Sequence, residues 1–423
     1  MFVAAVTYPL TFLAAALFSL PMDRRTILSS IIVSPITTIK DISDVSNANK
    51  IDSIGSTEPW SIILPLEHSS GGTNSVRVTL SYKPTSALFG SRMYIPKKIY
   101  KVIVDTGSPY LVIADGMEYA SYVEIASPTE KQRMLPPILE YISGLLEEEV
   151  PYQLKESSYG PTEEIYGSKK GSIEWRESLV QLRDERLTKN IVVGVLDKGL
   201  TEESGGPLLG LVKNSNYNSE KVQLRPTFLE QEGEISSFQI DSPNRQMTLA
   251  SGKSLIPNDT KSVIPMVDLR PLGDFVEHYA CNVKELQLDG TIFTPENITS
   301  SSDGRMRRIV AVFDSGLTGC LLTQPLWDAL QQKGMNLSRV KSIDVGVCTE
   351  HEHLGKHEDT KRSIFNFHAD ESKNPFFNLS PISLDWFDEE ESAPYVVVLG
   401  QTFLTQGILT VDIDDRRATF VVE

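Results

Sequence analysis

The chain has few cysteines for its length. Three of its 423 residues are cysteine, Cys281, Cys320 and Cys348. At most one intramolecular disulfide can form, with one thiol left over, so the fold does not depend on a disulfide framework. It must rest on hydrophobic burial, and a hydrophobic content of 40% suits two cores in lobes of about 150–200 residues each.

Basic residues are also scarce. There are 40 Lys and Arg against 56 Asp and Glu, which gives a formal net charge of −16 at pH 7. This excess of negative charge argues against nucleic acid or an anionic membrane surface as a partner. Because the self-repulsion of an acidic chain weakens as pH falls, the composition is compatible with an acidic compartment.

Several motifs of common enzyme classes are missing. The sequence has no Gly-rich phosphate loop, no GxSxG nucleophile elbow and no solenoid repeat. His351, His353 and His357 have a spacing that suits metal ligands, but metal ligands need a rigid supporting shell. The charged segment around them, residues 350–373, is predicted to be a solvated insertion, so no metal or other cofactor is expected.

Two short stretches of the chain share one sequence pattern. Lys101–Ser108 and Arg308–Gly316 each contain an apolar, β-branched run that ends in an acid, a hydroxyl residue and a glycine. The runs predict buried strands. The acids are Asp105 and Asp314, which lie 314 − 105 = 209 residues apart.

An aspartate at the end of a buried strand is costly unless its oxygens are hydrogen-bonded or its charge is shared. A glycine that follows it lets the backbone approach closely and directs an N–H at the carboxylate. Two such units predict two carboxylates brought together, which is a site for acid–base chemistry on water.

Each aspartate is followed at a distance by an apolar pair and a glycine, Leu208–Gly210 in the first half and Val398–Gly400 in the second. A single Asp-Thr-Gly is most often only a turn, but this order occurs twice. From about Trp60 to the C-terminus the chain therefore resembles the pepsin-like family of aspartic proteases, in which each of two homologous lobes contributes one aspartate.

The resemblance implies an all-β, bilobal fold with two β-barrel-like lobes and an active-site cleft between them. Residues 59–255 are expected to form the N-terminal lobe and residues 256–423 the C-terminal lobe. The implied activity is that of an endopeptidase without a cofactor, active at acidic pH on an extended polypeptide, in a monomeric protein. Asp105 and Asp314 would be catalytic. The supporting residues would be Thr106, Gly107, Ser108, Ser315 and Gly316.

A hairpin tip is predicted at residues 164–173, where a tyrosine stands beside Gly and Ser. In the family this hairpin is the flap, whose tyrosine closes over the bound peptide. The resemblance assigns that role to Tyr166 and Gly167. An inserted amphipathic helix expected at residues 131–150 shifts the register before the hairpin, which leaves Tyr159–Gly160 as an alternative.

Two positions depart from the family pattern. Val112 stands where the family commonly has a tryptophan that bonds to the flap tyrosine, and Leu317 stands where it has a hydroxyl that bonds to the second aspartate. The implied disulfide of the second lobe cannot form either, because no cysteine follows Cys348. Cys320 is expected to be a buried, inert thiol.

The N-terminus has two predicted segments. Residues 1–22 carry no charge before Asp23 apart from the terminus and include an apolar run, which indicates a cleaved signal peptide or an uncleaved membrane anchor. A misassigned start or another targeting sequence is the third alternative. Residues 23–58 are irregular and poor in basic residues, and they are expected to be an N-terminal or pro-segment. This organisation predicts a secreted or endomembrane-lumenal protein, with membrane contact only if the anchor is retained.

One rival function stays open from the sequence. A protein of this family can lose catalysis and keep the fold as a peptide-binding or inhibitor module. Such a protein is expected to lose an aspartate, a glycine or the flap, and this chain retains all of them.

Overall fold

Strands dominate the computed structural model of the chain. It describes residues 59–68, 72–82, 85–86, 93–114, 118–126, 154–166, 169–182, 188–196, 207–213, 225–231, 235–258, 260, 262–272, 274, 276–298, 307–350, 363–383 and 393–422. Those from 59 onward belong to one compact unit.

The described strands form two sheets. They are β1 (Trp60–Pro65), β2 (Glu67–His68), β3 (Asn74–Ser81), β4 (Thr85–Ser86), β5 (Met93–Asp105), β6 (Leu111–Ala114), β7 (Ala120–Ala126), β8 (Lys155–Glu156), β9 (Thr162–Tyr166), β10 (Lys169–Leu182), β11 (Thr188–Leu196), β12 (Leu208–Gly210), β13 (Ile235–Asp241), β14 (Gln246–Ser251), β15 (Ile264–Val267), β16 (Ala280–Leu288), β17 (Thr291–Phe293), β18 (Ile309–Phe313), β19 (Cys320–Thr323), β20 (Ser342–Thr349), β21 (Ser363–Asp370), β22 (Leu379–Ile382), β23 (Tyr395–Leu399), β24 (Gly407–Asp412) and β25 (Arg417–Val422).

Helices are few and short among the described residues. They are α1 (Phe228–Gln231), α2 (Pro295–Ile298), α3 (Gln324–Gln332) and α4 (Gln401–Leu404), with 3₁₀ turns at Arg270–Leu272 and Leu337–Arg339. The predicted all-β class is therefore confirmed. In the part of the chain that the structure describes, no helix has the length and apolar character needed to cross a membrane.

The first sheet has 11 strands and contains β2–β12. At its centre β12 lies between β5 and β6, parallel to β5 and antiparallel to β6. In this register Gly210 is opposite Asp105. The apolar pair and glycine that the sequence pattern singled out are therefore the strand that supports the first aspartate.

The second sheet has 14 strands and repeats this arrangement. Here β23 is parallel to β18 and antiparallel to β19, with Leu399 opposite Phe313, the residue before Asp314. Strands β18 and β23 are buried along their whole length, which explains why their sequences are continuous apolar runs rather than alternating ones. The duplicated sequence pattern thus folds into the same three-strand unit twice.

The two halves of the chain also share strands. In the second sheet β1, β14 and β13 pair in series, and β13 then pairs with β24 from the C-terminal end. The sequence prediction of the hairpin formed by β13 and β14 is confirmed, as is that of the closing hairpin formed by β24 and β25.

One local prediction is wrong. Residues 350–373 are not entirely a solvated insertion. Eight of them, Ser363–Asp370, form β21, which pairs with β20 along its whole length. The apolar residues at alternate positions, Phe365 and Phe367, pack on the core and on each other. Residues 351–362, which include the three histidines, lie outside the described residues, as do residues 1–58 and 131–150. In the described part, no group of three or more potential ligands is placed to hold a metal ion.

The three cysteines are unpaired. Cys281 and Cys320 are buried, and burial raises the pKa of both thiols well above the ordinary range. Cys320 therefore stays a protonated, unreactive thiol in the core, as expected from the sequence.

The packing around β12 generates a first prediction. A Cβ atom on Gly210 would lie 2.4 Å from the backbone nitrogen of Tyr110 and 2.5 Å from the carbonyl oxygen of Ser108. Because backbone cannot yield as a flexible side chain does, Gly210→Ala is expected to lower the free energy of unfolding by about 1–3 kcal/mol or more. Gly160→Ala is the matched control, since a Cβ there meets nothing within 4 Å. Chemical denaturation of both variants measures this, and equal stability would contradict the packing described.

Candidate active site

Asp105 is the last residue of β5 and is buried. Its carbonyl oxygen accepts a hydrogen bond from the backbone N–H of Leu211 at 2.8 Å, which ties the strand end to β12. Its carboxylate Oδ1 accepts a hydrogen bond from the N–H of Gly107 at 2.8 Å. The turn that follows the strand therefore supplies the donor that a buried carboxylate needs.

Asp314 follows β18 in the same way. Its N–H donates to the carbonyl oxygen of Leu399 at 3.0 Å. Its Oδ1 accepts hydrogen bonds from the N–H groups of Gly316 at 2.9 Å and Leu317 at 3.1 Å. The leucine side chain cannot donate to this aspartate, as expected from the sequence, but its backbone does.

Thr106 and Ser315 join the two loops reciprocally. The Thr106 hydroxyl donates to the carbonyl of Phe313 at 2.8 Å and accepts from the N–H of Ser315 at 2.9 Å. The Ser315 hydroxyl donates to the carbonyl of Val104 at 2.7 Å and accepts from the N–H of Thr106 at 3.1 Å. Both side chains are fully buried. Each hydroxyl thus satisfies backbone groups of the opposite loop, which fixes the separation of the aspartates.

The two glycines allow the loops to approach each other. A Cβ on Gly107 would lie 2.8 Å from Cγ of Asp314, and a Cβ on Gly316 would lie 2.6 Å from Cγ of Asp105. Each carboxyl group therefore lies against the glycine of the other loop, where any side chain would displace it. The site is symmetrical in this respect, with one carboxyl and one glycine from each half of the chain.

The two carboxyl groups are within hydrogen-bonding range of each other. Burial, the negative charge of Asp105 and the hydrogen bond to it raise the pKa of Asp314 far above its ordinary value of 3.8. The charge of His278 and the N–H of Gly316 act in the opposite direction but do not offset this. Two carboxyl groups within hydrogen-bonding range cannot both ionise easily. The pair therefore retains one proton and titrates as a unit.

Ser108 and Gln401 brace the loops from behind. The carbonyl of Ser108 accepts from the N–H of Val212 at 3.1 Å. The resemblance implies that the Ser108 hydroxyl bonds one of the two aspartates, but among the described residues it makes no such hydrogen bond. Gln401 donates from Nε2 to the carbonyl of Ser315 at 2.6 Å and from its N–H to the carbonyl of Leu317 at 2.7 Å.

The hairpin predicted to form the flap consists of β9 and β10, with Tyr166 opposite Lys169 at its end. Gly167 lies outside the described residues, as does the position of the Tyr166 side chain. Tyr159 and Gly160, the alternative, precede β9 in the chain and lie at the base of this hairpin rather than at its tip. Their position favours Tyr166.

An aromatic and cationic cluster, which we call the hairpin-base cluster, joins this hairpin to the loop after Asp105. It consists of Tyr110, Thr162, Trp175 and Arg225. The Arg225 guanidinium carbon lies 4.4 Å from the ring centre of Trp175 and 4.8 Å from that of Tyr110, in the range of cation–π attraction. The Thr162 hydroxyl accepts hydrogen bonds from Trp175 Nε1 at 2.9 Å and from Arg225. The start of β9 is thereby fixed relative to the aspartate loop.

Trp175 also explains why a small residue stands at position 112. Strand pairing places Trp175, Gly194 and Val112 in a row across β10, β11 and β6. A Cβ on Gly194 would lie 3.2 Å from the tryptophan ring, so the ring covers the glycine and packs in one buried cluster with Val112. A tryptophan from β10 thus occupies space beside position 112, where the family commonly has its own tryptophan.

The structure brings together further residues that the sequence reasoning missed. Asp274 and His278 lie just before β16, and the His278 ring is hydrogen-bonded to Asp274 and to the carbonyl of Gly107. An acid and a histidine four residues apart, directly before a strand, were a signal in the sequence. Their position beside the first aspartate loop required the sheet register.

The chain was also compared with known proteins. It matches no model of a known protein family and no curated protein.

The reciprocal bonds of Thr106 and Ser315 generate a second prediction. Thr106→Val keeps the side-chain shape but leaves the Phe313 carbonyl and the Ser315 N–H unpaired in the core. Each buried unpaired group costs about 1–3 kcal/mol, so the free energy of unfolding is expected to fall by about 2–4 kcal/mol. Ser315→Ala should act similarly, and the two changes together should be non-additive by about 0.5–3 kcal/mol because both belong to one network.

Thr260→Val is the control for this series, because its hydroxyl also bonds a backbone carbonyl, that of Pro257, but at an exposed position. It should change stability by less than about 0.5 kcal/mol. Urea denaturation measures all four variants. A Thr106→Val variant as stable as the control would show that the loops do not depend on these bonds.

The packing beside Val112 generates a third prediction. Val112→Trp restores the residue that is common in the family, yet Trp175 already packs in that cluster. The variant is expected to be overpacked and to lose about 1–3 kcal/mol of stability. Val421→Trp, on an exposed position of β25, is the control for the same change without burial. If Val112→Trp unfolds at the same temperature as the wild type, the packing of Trp175 beside position 112 is not as described.

Proposed function

We propose that this protein is an aspartic endopeptidase of the pepsin-like type. The observation that carries the proposal is the aspartate pair itself. Asp105 and Asp314 come from two copies of one strand–loop unit and lie in hydrogen-bonding range, and the pKa of Asp314 is raised. Nothing in a purely structural role requires two carboxyl groups to be held so close, because the arrangement costs free energy.

The chemistry follows from the shared proton. A water molecule between the carboxyls can give a proton to the ionised one and attack a peptide carbonyl carbon. The protonated carboxyl donates to the carbonyl oxygen, which gives a tetrahedral gem-diol. The carboxyl that took the proton of the water then gives it to the amine nitrogen and the C–N bond breaks, while one gem-diol hydroxyl returns its proton to the other carboxylate as the carbonyl reforms. The N–H groups of Gly107, Gly316 and Leu317 hold both carboxyls in place throughout. No covalent intermediate forms.

We also propose how the lobes, the hairpin and a bound polypeptide are arranged. The repeated three-strand unit supports two β-barrel-like lobes, residues 59–255 and 256–423, with the aspartate pair at their junction. An extended polypeptide would lie between them beneath the hairpin of β9 and β10, with Tyr166 and Gly167 as its tip. The protein would act as a monomer in a secretory or endomembrane lumen, after removal of residues 1–22.

The test is cleavage of a denatured protein across the pH range, with and without pepstatin. Activity is expected from acidic pH up to the raised pKa of Asp314, because it needs one proton on the pair. Activity should fall at lower pH, where both carboxyls are protonated. It should also fall above the raised pKa, where both carboxyls are ionised. Asp105→Asn and Asp314→Asn should each lower turnover by about 10²–10⁴-fold or more. Asp344→Asn, at a carboxylate that pairs with His368 away from the site, should leave turnover unchanged.

The stability of the Asp314→Asn variant separates lost chemistry from lost structure. The pKa of Asp314 is raised in the folded state, so the folded state holds its proton more tightly than the unfolded state. Wild-type stability should therefore fall as pH rises from the ordinary aspartate range through the raised pKa. The variant escapes this loss and should be more stable than the wild type at neutral pH while inactive.

An inactive wild type that binds pepstatin or peptides would instead support the binding-module alternative.

A further inference from the structure

His278 lies beside the aspartate pair because of the sheet register. Strands β16 and β18 are antiparallel with Ala280 opposite Val312, and the N–H of Phe313 donates to the carbonyl of Tyr279 at 3.0 Å. His278 and Asp314 are the next residues along each segment, and the charge of Asp314 acts on the His278 ring. The Tyr279 hydroxyl donates to the carbonyl of Leu211, which anchors this segment to the loop that supports the first aspartate.

Both ring nitrogens of His278 face acceptors. Nδ1 lies 2.8 Å and 3.0 Å from the two carboxylate oxygens of Asp274, and Nε2 lies 3.2 Å from the carbonyl oxygen of Gly107. A carbonyl cannot donate, and neither can an ionised carboxylate. With Asp274 ionised, both nitrogens carry hydrogen and the ring is an imidazolium. Asp274 is 1% exposed, and the imidazolium then compensates its charge in the interior.

The chain of contacts continues into the site. Gly107 accepts from His278 through its carbonyl and donates to Asp105 through its N–H. A change at His278 is therefore expected to affect the aspartate pair in two ways. It would alter the position of the Gly107 loop, and it would remove the positive charge of the His278 ring that acts on Asp314.

Other charges near His278 have partners of their own. A small cavity beside the ring is lined by Lys213, Glu277 and Arg416 among others. Lys213 pairs with Asp414 at 3.2 Å, and Arg416 pairs with Glu277 at 3.1 Å. On the far side of Asp274, Arg270 pairs with Asp268 at 2.9 Å and with Glu277 at 3.2 Å. The groups that face the ring from each packed element are thus Asp274, Asp314, Glu277, Lys213 and Arg416.

The electrostatics agree with this geometry. Burial acts to lower the pKa of His278, but the charge and hydrogen bond of Asp274, the Gly107 carbonyl and the charge of Asp314 together raise it above its ordinary value of 6.5. The ring is therefore charged throughout the acidic range. The stability that the cation contributes is present below the unfolded-state pKa and is lost as pH rises through the raised one.

We propose that His278, held as an imidazolium by Asp274, is a positioning residue for the aspartate pair that fixes the Gly107 loop and favours the singly ionised pair at low pH. The effect on activity rests on the proposed function. The charge state of His278 does not.

The first experiment therefore needs no activity. In the full chain labelled with ¹⁵N-histidine, the ring signals of His278 are identified by their loss in His278→Gln. At about pH 6.5, where an ordinary histidine is half protonated, His278 is expected to be mostly imidazolium with both nitrogens protonated. A neutral ring at that pH would overturn the proposal.

The second experiment separates charge from shape. The double variant Asp274→Asn/His278→Gln removes both charges, while the new amides can still donate to each other and to the Gly107 carbonyl. The acidic limb of the kcat/KM profile is expected to move to higher pH by about one unit, since the pair loses a nearby cation. His368→Gln, which removes a histidine that also pairs with an aspartate at 2.8 Å, should leave the limb in place.

A folded double variant with an unchanged acidic limb would overturn the electrostatic role. If the wild type cleaves nothing at any pH, the proposed endopeptidase function fails, and the ring-nitrogen spectrum still decides the state of His278.

Discussion

Two carboxyl groups held side by side are the constraint on which the rest of this structure depends. Asp105 is buried and Asp314 is partly buried, and two carboxyl groups this close do not ionise together easily, so a proton has to be shared between them. The surrounding features offset that cost. The N–H groups at the start of each loop stabilise the charge, and glycine is required where each loop meets the opposite carboxyl.

The bonds that hold the pair are arranged so that neither half of the site can form alone. Thr106 satisfies backbone groups of the second loop, and Ser315 satisfies those of the first. The two parallel strand pairs behind the loops, β5 with β12 and β18 with β23, fix the direction from which each aspartate enters. Around this centre, the hairpin-base cluster and the Asp274–His278 pair connect the loop after Asp105 to the neighbouring hairpin and to the start of β16.

Much of this arrangement was predictable from local sequence. The continuous β-branched runs before Asp105 and Asp314 indicate buried strands, and the glycine after each acid indicates a turn with its N–H directed back at the carboxylate. The duplication of the pattern then predicts that the two units meet. These features depend on residues that are close in the chain, which is why the sequence reveals them.

The remaining features depend on contacts between distant segments. Trp175 fills space beside Val112 only because β11 lies between their strands, and His278 reaches Gly107 only through the pairing of β16 with β18. β21 was missed because the charged residues before it hide its alternating phenylalanines. The backbone donor at Leu317 was missed because a side-chain pattern carries no information about which N–H a turn will present.

The central claim is that Asp105 and Asp314 share one proton, and the most direct measurement is the protonation of their side chains. In a chain labelled with ¹³C at aspartate carboxyl carbons, the two signals can be identified by their loss in Asp105→Asn and Asp314→Asn. The account predicts that at about pH 6, two units above the ordinary aspartate pKa of about 3.9, the pair still holds one proton. Two carboxyl signals that titrate independently near the ordinary value, with both groups ionised at pH 6, would contradict it.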